Sequence, residues 1–403
     1  MTALSSRSLG SSLIICVLAL LSIFPPLATD MYLSAIGQLA VALDASHAAT
    51  ELSLSLFFLG LCVGQLLIGP LIDAYGRKLP LLLGTGLFVL TSIGLLLVRD
   101  VHVFNALRFL QAIGACAGMV VGRVIVMDLY EGRKAAKVLT ILVMLMTLGP
   151  ILAPFLGSLL LGAFGWESIF GVLVLIGVLA FVLVAAIIPE TLPVSERRNG
   201  TVSSAFGHLF LLARRRRFIL PALATSFVQA PMFAFITASS GVFQGVYGLS
   251  SMAYGVVFGL IATALIVFGQ INTWLLNRYS PTQIASGALP PFLLMAIVLL
   301  VNSNATSIWL VAIPLWVSLG MVGLLTANMM SIAMEGSKDA AGLGSAAIGA
   351  LQFGVAFTAS SLVAIAGTDS ATPMALAILI SALIGSAIWF GMRKLAPADA
   401  TAQ

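Results

Sequence analysis

Apolar residues run through this chain in stretches of about 20, the length a helix needs to cross a hydrocarbon core of about 30 Å. Twelve such stretches are predicted, over 11–36, 51–72, 80–98, 103–127, 138–162, 168–188, 218–243, 253–275, 284–302, 307–333, 343–367 and 372–392. They lack the alternation over about ten residues that marks a membrane β-strand, so the expected fold is an all-α membrane protein. Glycines and prolines inside several stretches fit this reading, because membrane helices tolerate both. The longest break, 189–217, falls mid-chain. It predicts an N-terminal six-helix half over 1–190, a cytoplasmic linker over 191–217 and a C-terminal six-helix half over 218–403. Leu71-Ile72-Asp73-Ala74-Tyr75 aligns loosely with Leu275-Leu276-Asn277-Arg278-Tyr279, half a chain later, as expected of a transporter built from two related halves.

Composition excludes a soluble domain. Of 403 residues, 60% are hydrophobic and 8% charged, against about 25% charged in soluble proteins. Basic residues are distributed unevenly. Arg7, Arg77, Lys78, Arg133, Lys134, Lys137, Arg197, Arg198, Arg214 to Arg217, Arg278, Lys338, Arg393 and Lys394 fall at the N-terminus, in even-numbered loops or in the C-terminal tail. The odd-numbered loops hold only Arg99. By the positive-inside rule both termini are cytoplasmic. The net charge of +5 then reflects membrane topology and calls for no nucleic-acid partner. The Arg214–Arg217 run reads as an anchor on the lipid surface.

The apolar run after Arg7 mimics a signal peptide, but no small-x-small cleavage site leads into a soluble domain, so a retained first helix is expected. Cys16, Cys62 and Cys116 lie in apolar stretches without metal-ligand spacing and read as packing residues. No cofactor or metal is expected. No phosphate-cradling glycine motif is present, so any transport would be driven by an ion gradient or by the substrate's own gradient.

Asp30, Arg108 and Arg123 are the clearest ionisable residues inside stretches. A charge at the centre of a membrane helix costs roughly 2.5–3.5 kcal/mol on insertion scales. Counting at about 1.5 Å per residue, Asp30 and Arg108 share a depth in the outer half, and Arg123 lies roughly 22 Å deeper than Arg108. Two readings compete: a structural ion pair, or a proton site on Asp30 tuned by Arg108. Gln111 shares a helix face with Arg108. Arg123 either contacts substrate or extends to the cytoplasmic surface.

At this point the motifs resemble the major facilitator superfamily, and within it the Bcr/CflA group of bicyclomycin and chloramphenicol drug:proton antiporters. Gly69-Pro70-Leu71-Ile72-Asp73-Ala74-Tyr75-Gly76-Arg77-Lys78 is similar to the superfamily's G-x-L-x-D-r-x-G-r-K signature, with Ala74 in place of a basic residue. The resemblance implies a cytoplasmic gate of Gly69, Asp73, Gly76, Arg77 and Asp128. Leu107-Arg108-Phe109-Leu110-Gln111-Ala112-Ile113-Gly114 resembles R-x-x-Q-x-x-G, which implies a part for Arg108 in proton coupling. Gly122-Arg123 to Tyr130 resembles a group pattern in which Met127 replaces a second arginine. Gly149, Pro150, Pro154 and Gly157 match the antiporter motif, whose glycines allow close helix approach and whose prolines bend the helix. Thr29-Asp30-Met31-Tyr32-Leu33 resembles T-D-M-Y-L-P, with Ser34 for the proline.

Some related antiporters carry a second acid eight residues before this aspartate. Here that position is Ser22, which leaves one obvious carboxylate and implies neutral or zwitterionic substrates and one proton per cycle. The resemblance implies a monomer in the bacterial inner membrane, with small-molecule substrate, protons and lipid as partners. It further implies alternating access by rocking of the two halves. Expected substrate contacts are Tyr32, Gln111, Met119, Arg123 and Met146 in the first half, and Gln229, Phe233, Phe235, Asn328 and Gln352 in the second. Flexible methionines suit a permissive pocket. Export or import of a metabolite such as a nucleoside remains the alternative. A non-transporting receptor is disfavoured by the intact signature, and an enzyme by the scattered His47, His102 and His208.

Overall fold

A computed structural model describes residues 2–197 and 202–395. Arg198 of the predicted linker lies outside the described residues. Among those described, the chain is helical without strands, and twelve helical spans are long and apolar enough to cross a membrane. Spans one to six are Ser12–Ala42, His47–Tyr75, Lys78–Leu97, Val101–Leu129, Gly132–Phe164 and Glu167–Ile187. Spans seven to twelve are Arg216–Val246, Ser251–Leu275, Pro281–Val301, Trp309–Glu335, Ala341–Ala366 and Thr372–Lys394. Part of the linker is itself a helix, Val202–Ala213. Span five continues unbroken through Pro150 and Pro154.

Local chemistry sets several boundaries. Ser46 caps span two by accepting from the Ala49 amide at 3.2 Å. Asp100 caps span four by accepting from His102 and Val103, each at 2.9 Å. These caps satisfy amides that a helix start leaves without partners. Span two ends at Gly76, whose φ of +91° suits a residue without a Cβ.

The chain divides into two compact units, Met1–Phe206 with Ser251–Val256, and Gly207–Ser250 with Val257–Gln403. In the first unit, span four packs on spans two and three, span three on span six, and span one on spans four and five. In the second, span ten packs on spans seven and nine, span nine on span twelve, and span seven on span eleven. Seven pairs recur six places later: one–four as seven–ten, one–five as seven–eleven, one–six as seven–twelve, three–four as nine–ten, three–six as nine–twelve, four–five as ten–eleven and five–six as eleven–twelve. Spans one to six and spans seven to twelve thus share much of one packing plan, as the resemblance to the major-facilitator fold with its two pseudo-symmetric six-helix halves implies.

Glycine permits the closest of these approaches. Gly60 of span two faces the Phe109 carbonyl and Ala112 of span four, and Gly64 faces Cys116. The matched order along both chains means the two spans run in the same direction. Gly84 and Gly94 of span three face Ala117 and Leu107 of span four in reversed order, so that pair is antiparallel. A methyl group at Gly60 has no room. Gly60→Ala is expected to destabilise the purified protein by about 1–3 kcal/mol, read as a lower unfolding midpoint. Gly287→Ala, at an exposed helical glycine whose Cβ meets nothing, is expected to leave the midpoint unchanged or slightly raised.

Candidate functional site

Span one is broken where its charge lies. It comprises helices Thr2–Ser22, Phe24–Asp30 and Ile36–Ala42, with a 3-10 turn at Leu33–Ala35. Pro25 and Pro26 open the middle piece. Neither has an N–H to return to the preceding turn, which interrupts the ladder there. The Thr29 hydroxyl donates back to the Pro25 and Pro26 carbonyls at 2.8 and 3.2 Å. Asp30 is the last residue of this short helix, 1% exposed, and its Oδ1 has no hydrogen-bond partner. A carboxylate there also faces the negative end of the helix dipole. Two glycines of span five bracket the break. A Cβ on Gly149 would strike Pro26, and one on Gly157 would strike the Met31 carbonyl. These two glycines let span five lie directly on the backbone either side of Asp30.

Arg108 faces the same region from span four and is fully buried. Its guanidinium is sandwiched between the rings of Tyr32 and Phe57, with centroids 4.3 and 4.5 Å away. Desolvated contacts of this kind are worth about 2 kcal/mol. Nη1 donates to the Gln111 Oε1 at 2.5 Å, and Gln111 Nε2 donates to Ser92 at 2.8 Å. Nε and Nη2 have no partner. Among the described residues the ion pairs are Arg77–Asp73, Arg77–Asp128 and Arg197–Glu190. Asp30 and Arg108 therefore share a neighbourhood without touching. The Tyr32 hydroxyl is 2.8 Å from Ser53 of span two. Glu51, on the same span, is fully buried and acts electrostatically on Tyr32. It stands at the first position of a predicted stretch, so the sequence presented it as an edge residue.

A second cluster forms where span two meets span three. Arg77 Nη1 donates to Asp73 at 2.8 Å and to the Ile72 carbonyl at 2.9 Å, while Nε reaches Asp128 of span four at 3.2 Å. The Thr191 hydroxyl donates to the same Asp128 oxygen at 2.6 Å. Glu190 accepts from the amides of Arg77, Leu192 and Lys78 at 2.8, 3.0 and 3.3 Å, and lies 3.5 Å from Arg197. Burial pushes this carboxyl up, but the three amides and the Arg197 charge outweigh it and hold it below its ordinary value of 4.5. Any Cβ on Gly76 would collide with Glu190. Asp73, Gly76, Arg77 and Asp128 thus come together, whereas a Cβ on Gly69 would meet nothing. Glu190 and Thr191 went unnoticed in the sequence. Their signal was an acid and a hydroxyl immediately after the sixth apolar run.

Of the expected substrate contacts, Arg123 and Met146 meet, with Nη2 3.6 Å from the thioether sulfur. Met119 is buried. In the second unit Asn328 donates to Asn272 at 2.6 Å, Phe233 lies 5.9 Å from Phe353, and Phe235 stacks on Phe258 at 4.7 Å. The Gln229 Oε1 is buried without a hydrogen-bond partner, and Gln352 is half-buried.

Residues 18–368 match the Major Facilitator Superfamily. The chain is 32% identical over 384 residues to "Uncharacterized MFS-type transporter YdgK" of Bacillus subtilis (strain 168), covering 94% of each chain. It is 31% identical over 361 residues to a "Bicyclomycin resistance protein homolog" of Haemophilus influenzae, covering 89% of this chain and 91% of that one. A crystal structure of a mutant of the nucleoside transporter NupG superposes with a TM-score of 0.68 over 95% of this chain and 99% of that one, at 14% identity, a likeness of fold alone.

The lowered Glu190 carboxyl carries a pH consequence. Its contribution is complete above about pH 4.5 and is lost as the pH falls through the lowered folded value. Wild-type thermal stability in detergent is expected to drop across that acidic range. Glu190→Gln is expected to be slightly less stable at neutral pH and to show a smaller acid drop, measured by unfolding midpoints at a series of pH values.

Proposed function

Because this chain belongs to the Major Facilitator Superfamily, with relatives in the Bcr/CflA drug-efflux group, and is a multi-pass membrane transporter rather than an enzyme, we propose that it exports small drug-like molecules in exchange for protons. The observation that best supports this is the broken first span. It ends a short helix on a buried Asp30 with an unbonded oxygen, beside an Arg108 with two unbonded donors. A bonded ion pair would have its partners fixed, whereas these groups retain capacity for a proton or a ligand.

In the proposed cycle, substrate binds from the cytoplasm or inner leaflet and leaves on the outer side as Asp30 takes a proton. Proton loss to the cytoplasm resets the site. Arg108 responds to the charge on Asp30. The cluster of Asp73, Gly76, Arg77, Asp128 and Glu190 holds the cytoplasmic ends of spans two to four and six together when that side is closed. The membrane is the bacterial inner membrane, both termini are cytoplasmic, and the transporter works as a monomer with halves 1–190 and 218–403 joined by 191–217.

The second unit supports neutral or zwitterionic cargo of bicyclomycin or chloramphenicol type. In spans seven to twelve charged residues occur only at the terminal positions Arg216, Arg217, Glu335, Arg393 and Lys394. Gln229, Ser318, Thr326 and Ser361 there each hold a buried polar atom without a hydrogen bond, a neutral donor and acceptor set. The nucleoside reading is the alternative outcome of the same assay.

In inside-out vesicles, drug uptake driven by an imposed proton gradient is expected for the wild type and lost, by at least about tenfold, in Asp30→Asn, with competition by drugs and not by nucleosides. A tenfold loss corresponds to about 1.4 kcal/mol of coupling. Full proton-driven efflux by Asp30→Asn would overturn the mechanism.

A further inference from the structure

The linker helix Val202–Ala213 and the four arginines after it have no part in the proposed cycle. Side chains near the end of this helix sort onto two faces. At about 100° per residue, Leu209 and Leu212 lie within about 60° of each other, and Phe210, Leu211 and Arg214 fall on the other side. The Arg214 amide donates to the Phe210 carbonyl at 3.2 Å, so the helical path holds as far as Arg214.

The first face is docked. Leu212 is buried in a cluster with Phe218 and Ala222 of span seven, Ala333 of span ten, and Ala347 and Ile348 of span eleven, and Leu209 packs against it. The second face is open. Phe210 is 59% and Leu211 58% exposed. The Arg214 guanidinium, also exposed, lies over the Phe210 ring at 4.5 Å. Arg216 and Arg217 are exposed beside it, and among the described residues no ion pair holds Arg214, Arg216 or Arg217.

Position decides what covers this face. Arg216 is the first residue of span seven. The arginines therefore stand where an apolar span leaves the hydrocarbon, at the level of the lipid headgroups. Exposed apolar side chains rimmed by cations at that level fit acyl chains below and anionic headgroups above. A guanidinium suits this role because its forked N–H donors match a phosphate. A zwitterionic headgroup brings its own cation with its phosphate and balances the arginines less well.

We propose that Arg214, Arg216 and Arg217, with the open face of the linker helix, form a binding site for anionic phospholipid. Phe210 and Leu211 lie among the acyl chains, and the guanidinium groups bind the phosphates. The leaflet is the one where span seven begins, the cytoplasmic one in the orientation proposed above. The site depends on neither the cargo nor the proton coupling.

Native mass spectrometry of the purified full-length protein tests this, with phosphatidylglycerol or phosphatidylcholine of matched chains added in detergent. The wild type is expected to bind phosphatidylglycerol at least about fivefold more tightly, the attraction of one arginine to an anionic surface. Arg214→Gln/Arg217→Gln is expected to lose about tenfold in phosphatidylglycerol affinity and little in phosphatidylcholine affinity. Arg393→Gln/Lys394→Gln removes the same charge where span twelve ends, and Arg393 is engaged with Ser286 at 2.6 Å. That variant is expected to change either affinity by less than about twofold, as for an exposed charge outside the site. Phe210→Ser/Leu211→Ser is expected to weaken both lipids. Equal wild-type affinity for the two lipids, equal losses in the two Gln variants, or unchanged binding by Phe210→Ser/Leu211→Ser would each overturn the proposal. The wild type alone also decides it, whether or not the variants fold. Its phosphatidylglycerol affinity is expected to fall about fivefold or more between roughly 0.05 and 0.5 M ammonium acetate, as screening shortens the reach of the arginines, and salt-independent binding would overturn it.

Discussion

The first unit is organised around one expensive object, a guanidinium with no exposure to solvent. An isolated buried ion is untenable in a low-dielectric interior. Arg108 is made tenable by two aromatic faces, from spans one and two, and by an amide on its own span that is held in turn by Ser92 of span three. Four spans are thus committed to a single side chain. That commitment is incomplete, because Nε and Nη2 remain unbonded. A cation held chiefly by ring faces keeps its charge available in a way that a bidentate carboxylate pair would not.

The break in span one belongs to the same arrangement. A continuous helix would satisfy its own backbone and present Asp30 as one more side chain on a cylinder. Pro25 and Pro26 remove two amides, and the following turns are rebuilt as a short helix and a 3-10 segment. Span five covers the result through Gly149 and Gly157, positions eight residues apart and so about 12 Å along the helix, spanning the stretch between Pro26 and Met31. The prolines of span five leave its helix intact. In this chain the motif's glycines therefore matter through what they allow span one to do, while its prolines disturb hydrogen bonding without ending the helix.

Span number, span type and the two-fold plan were legible in the sequence because they depend on run length and on the mid-chain break. The part of the cluster formed by Asp73, Gly76 and Arg77 was legible because those residues lie in one contiguous signature. Three features were not. Glu51 stood at the first position of an apolar run, where a carboxylate reads as a helix-end residue, and only the packing of Tyr32 against span two shows it to be interior. Glu190 and Thr191 lie over a hundred residues from Arg77 and at the edge of the linker, so no local pattern joined them to it. Helix rise gives Asp30 and Arg108 a common depth, but depth alone carries no information on rotation about the helix axis. Contact between the two side chains could not be read that way, and the rings of Tyr32 and Phe57 take the place of a direct pair.

Charge is divided between the units in a way that constrains any mechanism. Asp30, Glu51, Arg108 and Arg123 all belong to the first, while the spans of the second carry charge only at their terminal residues. The packing plan recurs between spans one to six and seven to twelve, as the seven repeated helix pairs show, whereas the ionisable groups do not recur. Proton-linked chemistry in the proposed cycle thus has to originate in the first unit. The second contributes neutral hydrogen bonding through groups such as the Asn328–Asn272 pair and the unbonded Gln229 carbonyl. In that proposed cycle, such a division would separate energy input from cargo recognition. On that proposal, substitution among the neutral polar groups of spans seven to eleven would change what is carried while Asp30 and Arg108 stay as they are.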